Sequence, residues 1–185
     1  MAAGLRRLLL EQTDMVWQQA HQCVDGLTDE EFFWEPAPGC WSLRRRSELT
    51  VDVAPAELAV PGDWICEHIG GNPQPPPLTT IAWRVTHTML AVWSYIDDIV
   101  PREMRPEPEL PHTAATAVAK WADVLAQYRA AIASYDDEEL AASIPAWDLE
   151  VTRSFLVNHA HREVLHHSAE VGCMRDLYRV LHRGA

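Results

Sequence analysis

The sequence predicts an all-α fold, a four-helix bundle, on three observations. Apolar residues recur at helical spacing in four long segments, no segment alternates convincingly like a strand, and Pro and Gly gather between the segments. With 185 residues the chain is long enough for one domain with a real core, and we read 1–185 as that single domain.

Ala2 to Leu27 is the first helix, with Leu5, Leu8, Leu9, Met15, Val16 and Ala20 in its apolar pattern. Gly26 stops it, and Thr28-Asp-Glu-Glu31 has the form of a capping box that opens a short turn. Leu27 to Trp41 reads as a structured, aromatic-rich connection. Ser42 to Pro77 is a long loop between helices 1 and 2, with room for a short strand or helical turn. Leu78 to Val100 is the second helix, capped by Thr79 or Thr80 and stopped by Pro101. Arg102 to Pro111 is an acidic, Pro-punctuated linker. Thr113 to Ser134 is the third helix, carrying Ala117, Trp121, Val124, Leu125 and Tyr128 on one side. Asp136 to Ala142 is a short helix or turn, and the last helix runs from Asp148 to about His182.

Composition narrows the function classes. A net charge of −12 argues against nucleic acid, whose affinity depends on cations that neutralise phosphate. Arg44-Arg45-Arg46, the one basic cluster, reads as a solvated loop. No apolar run is long enough to span a bilayer, so no membrane is expected. Met1 to Leu10 reads as a helix start and not as a signal peptide. Cys23, Cys40, Cys66 and Cys173 include no CxxC pair, so free thiols in a reducing cytoplasm are expected, with Cys173 as a packing residue.

The chemistry concentrates in Asn158-His-Ala-His-Arg-Glu-Val-Leu-His-His-Ser-Ala-Glu170, and no Gly or Pro interrupts Glu150 to Val171. Residues four apart on a helix stack on one face, so Glu163 and His167 project together and can share one metal ion. Stepping along that face gives Leu156, Ala160, Glu163, His167, Val171, Met174 and Tyr178. Two ionisable groups thus occupy places where apolar residues would otherwise fall, which is costly without a partner or a metal. The third ligand must come from another helix, and His87 is the best placed. A slipped register would bring in His159, His166 or Glu170 instead. His166 is also a candidate to support the ligands, His161 and His182 read as surface, and His68 and His112 sit in loops. The order Glu-x-x-x-His is not the HExxH of zincin proteases. Three protein ligands leave an open coordination position, which suits an activated water or an activated thiol.

Three segments resemble the DinB-like superfamily of metal-binding four-helix bundles. Leu27-Thr-Asp-Glu-Glu-Phe-Phe-Trp34-Glu-Pro-Ala-Pro-Gly39 is similar to the family's stretch after its first helix. Ile81-Ala-Trp-Arg-Val-Thr-His87 is similar to its second-helix ligand motif. Glu163-x-x-x-His167-Ser-Ala-Glu-Val171 is similar to its last-helix motif, usually His-x-x-x-His followed by Arg-Gly-Gln-Ile. Glu163 stands where the family usually has His, and a His, Glu, His triad resembles that of mycothiol-dependent maleylpyruvate isomerases. The resemblance implies up-down-down-up connectivity, a homodimer, and zinc or nickel held by His87, Glu163 and His167. It also implies a thiol such as mycothiol as cosubstrate, with a small electrophile as the second substrate. Of the 15 basic residues 14 are Arg, a bias that leans towards mycothiol. Metal-activated hydrolysis and a non-catalytic metal-binding bundle of the stress-response kind are the alternative functions.

Overall fold

In the computed structural model, residues 4–49, 61–68, 74–99 and 109–182 are described, without the side chains of 97–99. Four long helices dominate them: α1 (Leu5–Val24), α3 (Ile81–Ile99), α4 (Ala114–Ala133) and α6 (Arg153–Leu181). Two short helices, α2 (Asp29–Phe32) and α5 (Asp137–Ala141), fill connections. Two antiparallel hairpins also lie among the described residues, β1 (Leu43–Arg45) with β2 (Trp64–Cys66) and β3 (Ser143–Ala146) with β4 (Leu149–Thr152).

Each long helix packs on two others. Helix α1 meets α6 and α4, and α3 meets the same two. The shared interior holds Leu9, Phe32, Ile81, Met89, Trp121, Tyr128, Ile132 and Leu156, all essentially inaccessible to solvent. On α1 the buried positions are Leu9, Thr13, Val16, Trp17, Ala20 and Val24, the three- and four-residue spacing of a single stripe.

The helix boundaries follow from local chemistry. Gly26 takes φ 63° just past α1, a left-handed conformation that costs glycine nothing. Thr28 and Glu31 then form the expected capping box of α2. Thr80 is the cap of α3, its Oγ1 accepting from the Trp83 amide at 3.2 Å. Thr113 caps α4, and Asp29 Oδ1 accepts from the Ala114 amide at 2.7 Å, which ties α2 to the start of α4.

Two expectations about the elements need correction. The fold is not helical throughout, because both hairpins lie in stretches read as loop or helix. The short strand for which the 42–77 loop has room is present, since its described residues hold a hairpin in the register Leu43 to Cys66, Arg44 to Ile65 and Arg45 to Trp64. Residues 50–60 and 69–73 of that loop, and 101–108 of the acidic linker, lie outside the described residues. The last helix starts at Arg153 and not at Asp148, since Trp147 and Asp148 form a two-residue turn with φ 52° and 61°. Thr152 caps α6 by accepting from the Phe155 amide at 3.1 Å.

The other corrections concern single residues. Arg44 is not a solvated loop residue. It lies on β1, bonds Glu67 at 2.9 Å and Glu35 at 2.6 Å, and donates to the Cys40 carbonyl. Cys173 lies on α6 but faces solvent, so it is not a packing residue. His161 is not on the surface. It is 4% exposed and its Nε2 lies 2.8 Å from Thr13 Oγ1 on α1. No helix among the described residues is long and apolar enough to cross a membrane.

Candidate metal centre

Helix α6 has two working edges because it packs on both α1 and α3. His161 and Arg175 reach α1, where Arg175 donates to the carbonyls of Cys23 and Asp25. Glu163, His167 and Glu170 lie on the other edge and meet His87 and Arg84 of α3. The apolar residues between these edges, Leu156, Ala160, Val164 and Val171, fix the rotation of the helix by burying themselves.

The structure brings His87, Glu163 and His167 together. One ligand-type atom of each lies within 4.8 Å of the other two. The His87 and His167 rings meet edge to face at 5.1 Å, and His167 Nε2 is 3.7 Å from Glu163 Oε2. Two ligands at about 2.1 Å from a tetrahedral ion stand roughly 3.4 Å apart, so the separation needs only a small contraction.

The proton positions make the fit specific. His167 Nδ1 lies 2.8 Å from Glu170 Oε2, and a carboxylate only accepts. The His167 proton therefore sits on Nδ1, and the Nε2 lone pair faces the Glu163 carboxylate. Two acceptors pointed at each other repel unless a cation lies between them. Protonation of His167 does not relieve this near neutral pH. Burial, reinforced by His87, His166 and Arg84, holds its pKa down at about 3. Burial likewise lowers the pKa of His87, against an opposing pull from Glu163. Both imidazoles are thus neutral, the form that binds metal.

The surroundings hold these groups in place. Trp83 stacks on His87 at 4.5 Å and 12°, and its indole N–H donates to the Glu67 carbonyl at 2.6 Å. Glu67 in turn accepts from Arg44 and from the Ser42 amide, so the β1–β2 hairpin buttresses the α3 side of the centre. Glu170 is ion-paired with Arg84, which fixes the carboxylate that holds His167. An open cleft of about 550 Å³ beside the group is lined by Arg162, Glu163, Leu165, His166 and His167.

The alternative ligands take other positions. His166, His167 and Glu170 also cluster, but Glu170 is engaged by Arg84 and His166 is 65% exposed. His166 Nε2 stands 3.6 Å from Glu170 Oε1, beyond a hydrogen bond. His159 sits among the rings of Tyr95, Trp147 and Phe155. Arg162 donates to its Nδ1 at 3.1 Å, so its Nε2 carries the proton and faces Glu163 Oε1 at 3.6 Å. His68 packs on Trp41, His112 stacks on Trp64, and His182 stacks on Tyr178 at the exposed end of α6. Sequence reasoning missed Arg84 and the supporting role of Glu170. The four-residue step from Glu163 marks a ligand pair along one helix, whereas Arg84 and Glu170 meet only across two.

The comparisons agree with this architecture. A conserved protein from Enterococcus faecalis of known crystal structure is similar to this chain with a TM-score of 0.54 and 17% identity, over 95% of this chain and 98% of that one. At that identity the likeness concerns the fold. No curated protein matches the sequence. The family model of the DinB superfamily, whose members generally bind a divalent metal, matches residues 12–171. The chain belongs to the DinB superfamily.

Proposed function

We propose that this chain is a metal-dependent enzyme in which His87, Glu163 and His167 hold a divalent cation, zinc or nickel, and present it to a low-molecular-weight thiol for S-transfer or isomerisation. The observation that carries this reading is the 3.7 Å approach of the His167 Nε2 lone pair to Glu163 Oε2, with His87 beside both. A cation bound there would supply Lewis acidity and favour the thiolate form of a coordinated thiol. The protein's own groups orient the site. Glu170 holds His167 through Nδ1, and the His159 Nε2–H stands 3.6 Å from the outer oxygen of Glu163, an electrostatic contact and not a hydrogen bond. Trp83 covers one face of His87 and keeps water from it.

Three protein ligands leave room for an exogenous group, and the adjoining cleft gives it access. A mycothiol-type thiol and a small electrophile are the proposed substrates. The thiols of Cys23, Cys40 and Cys173 suit a cytoplasmic setting. The pairwise packing of the long helices supports a four-helix bundle; up-down-down-up connectivity and a homodimer are its proposed topology and assembly.

Elemental analysis tests the centre. Wild type purified without an affinity tag should carry about one metal per chain, lost in His87→Ala, Glu163→Ala and His167→Ala. A wild-type protein that takes up no zinc or nickel on reconstitution overturns the reading. Loaded protein that turns over electrophilic esters without a thiol would replace thiol transfer by hydrolysis.

A further inference from the structure

Next to the metal centre the fold exposes two large aromatic rings. Trp147 and Phe155 are 45% and 46% exposed, although each would bury well. Both pack on one side chain, His159, with ring separations of 4.8 and 6.4 Å, and Tyr95 meets the same ring edge-on at 5.5 Å. The two exposed rings lie 6.3 Å apart at 69°.

This cluster joins the centre through a single residue. His159 Nε2 is 3.6 Å from Glu163 Oε1, and Glu163 Oε2 faces His167. Phe155, His159, Glu163 and His167 follow at four-residue steps on α6, so the aromatic pair and the candidate ligands share a continuous strip of the helix. Trp147 is presented from the facing β3–β4 turn at φ 52°, a conformation unusual for a bulky residue.

We propose that Trp147 and Phe155, seated together on His159, form a subsite for a planar apolar group, so that the substrate is an aromatic or similarly flat molecule whose sulfur end reaches the metal. The proposal rests on the metal-centre reading for the position of the reactive end, but the subsite itself needs no metal. Size favours a small molecule over a second protein chain. The two half-exposed rings offer on the order of 200 Å², against roughly 800 Å² per partner in a stable interface.

Two probes separate the subsite from the centre. The first is 2-naphthol with metal-free protein, observed through the ligand's own NMR signals. Wild type should bind it, and Trp147→Ala and Phe155→Ala should each weaken binding at least fivefold. Trp147→Phe should retain most of it, and far-ultraviolet circular dichroism identifies any variant that fails to fold. The second is a pair of thiols, naphthalene-2-thiol and ethanethiol, with nickel-loaded protein, read by thiolate charge-transfer absorption. The aromatic thiol should bind about tenfold more tightly, and both alanine variants should erase that preference with nickel content unchanged.

If 2-naphthol binds but neither thiol does, the subsite stands and the thiol reading falls. If wild type ignores 2-naphthol, or Phe155→Ala and Trp147→Ala leave its binding intact, the subsite is overturned. A concentration-dependent dimer in sedimentation that Trp147→Ala dissolves would also overturn it, by assigning the patch to a subunit contact.

Discussion

His167 Nδ1 and Glu170 Oε2 lie 2.8 Å apart, and this contact determines which nitrogen of His167 faces Glu163. Arg84 on α3 pairs with the same carboxylate, so the tautomer of a residue on α6 depends on a charge from the neighbouring helix. Removing a group that supports a metal-binding His commonly lowers affinity by about 10- to 100-fold. We expect Glu170→Ala to weaken zinc affinity by that amount in a competition titration with a chromophoric chelator. Glu170→Gln should lose less, because its amide oxygen still accepts from Nδ1–H. Equal affinity in wild type and Glu170→Ala would show that packing alone orients His167.

The second expectation concerns Glu31, which is buried and receives Arg175 at 3.1 Å and Arg179 at 3.2 Å while completing the α2 cap. Burial alone would raise its pKa, but the hydrogen bond and charge of Arg175 prevail and hold it below the usual value. The folded state therefore binds the proton less readily than the unfolded chain. The stabilisation is complete above the unfolded value near 4.5 and is lost as the pH falls through the lower folded value. Glu31→Gln should flatten the acid limb of stability in urea titrations between neutral pH and pH 3. Arg175→Met, which leaves the buried carboxylate to Arg179 and the α2 cap and takes a donor from the Cys23 and Asp25 carbonyls, should cost about 3 kcal/mol at neutral pH.

The contrast between these sites shows what a linear sequence carries. Glu163 and His167 were legible because both lie on one helix, where spacing alone sets their proximity. His87 was legible only as the His of an apolar helix that a bundle would turn inward. Glu31 was legible as a cap but not as the partner of Arg175, 144 positions away. His161 was misread because helical periodicity marks a buried stripe without saying which neighbour covers each edge. The true stripe is wide enough to bury His161 against α1 as well as to bring His167 towards α3. The β3–β4 hairpin was missed because its turn is Trp147-Asp148, in place of the Asn-Gly or Asp-Gly pairs that announce such turns.

Thr13 tests the α1 edge of that stripe. Its hydroxyl donates to the Leu9 carbonyl at 2.7 Å, which leaves its oxygen to accept from His161 Nε2–H at 2.8 Å. The substitution Thr13→Val keeps the shape and removes the acceptor, so a buried N–H is left without a partner. A loss of about 1 to 3 kcal/mol in chemical denaturation is expected. Thr13→Ser should recover most of it. A Thr13→Val protein as stable as wild type would mean that another group satisfies the ring.

Asp148 offers the converse, a substitution that stabilises. It occupies the second position of a two-residue hairpin loop at φ 61°, after Trp147 at 52°, and Ala146 pairs with Leu149 across the turn. Both loop residues adopt the left-handed region, where a side chain costs about 1 kcal/mol and glycine costs nothing. Glycine also enlarges the conformational freedom of the unfolded chain, which offsets part of the gain. The net expectation for Asp148→Gly is about 0.5 kcal/mol of added stability, and for Asp148→Val a loss exceeding 1 kcal/mol. Thermal unfolding of the two variants under identical buffer gives the comparison. If Asp148→Gly destabilises while Asp148→Val does not, the turn is not left-handed at 148, and the route by which the chain presents Trp147 beside His159 must be different.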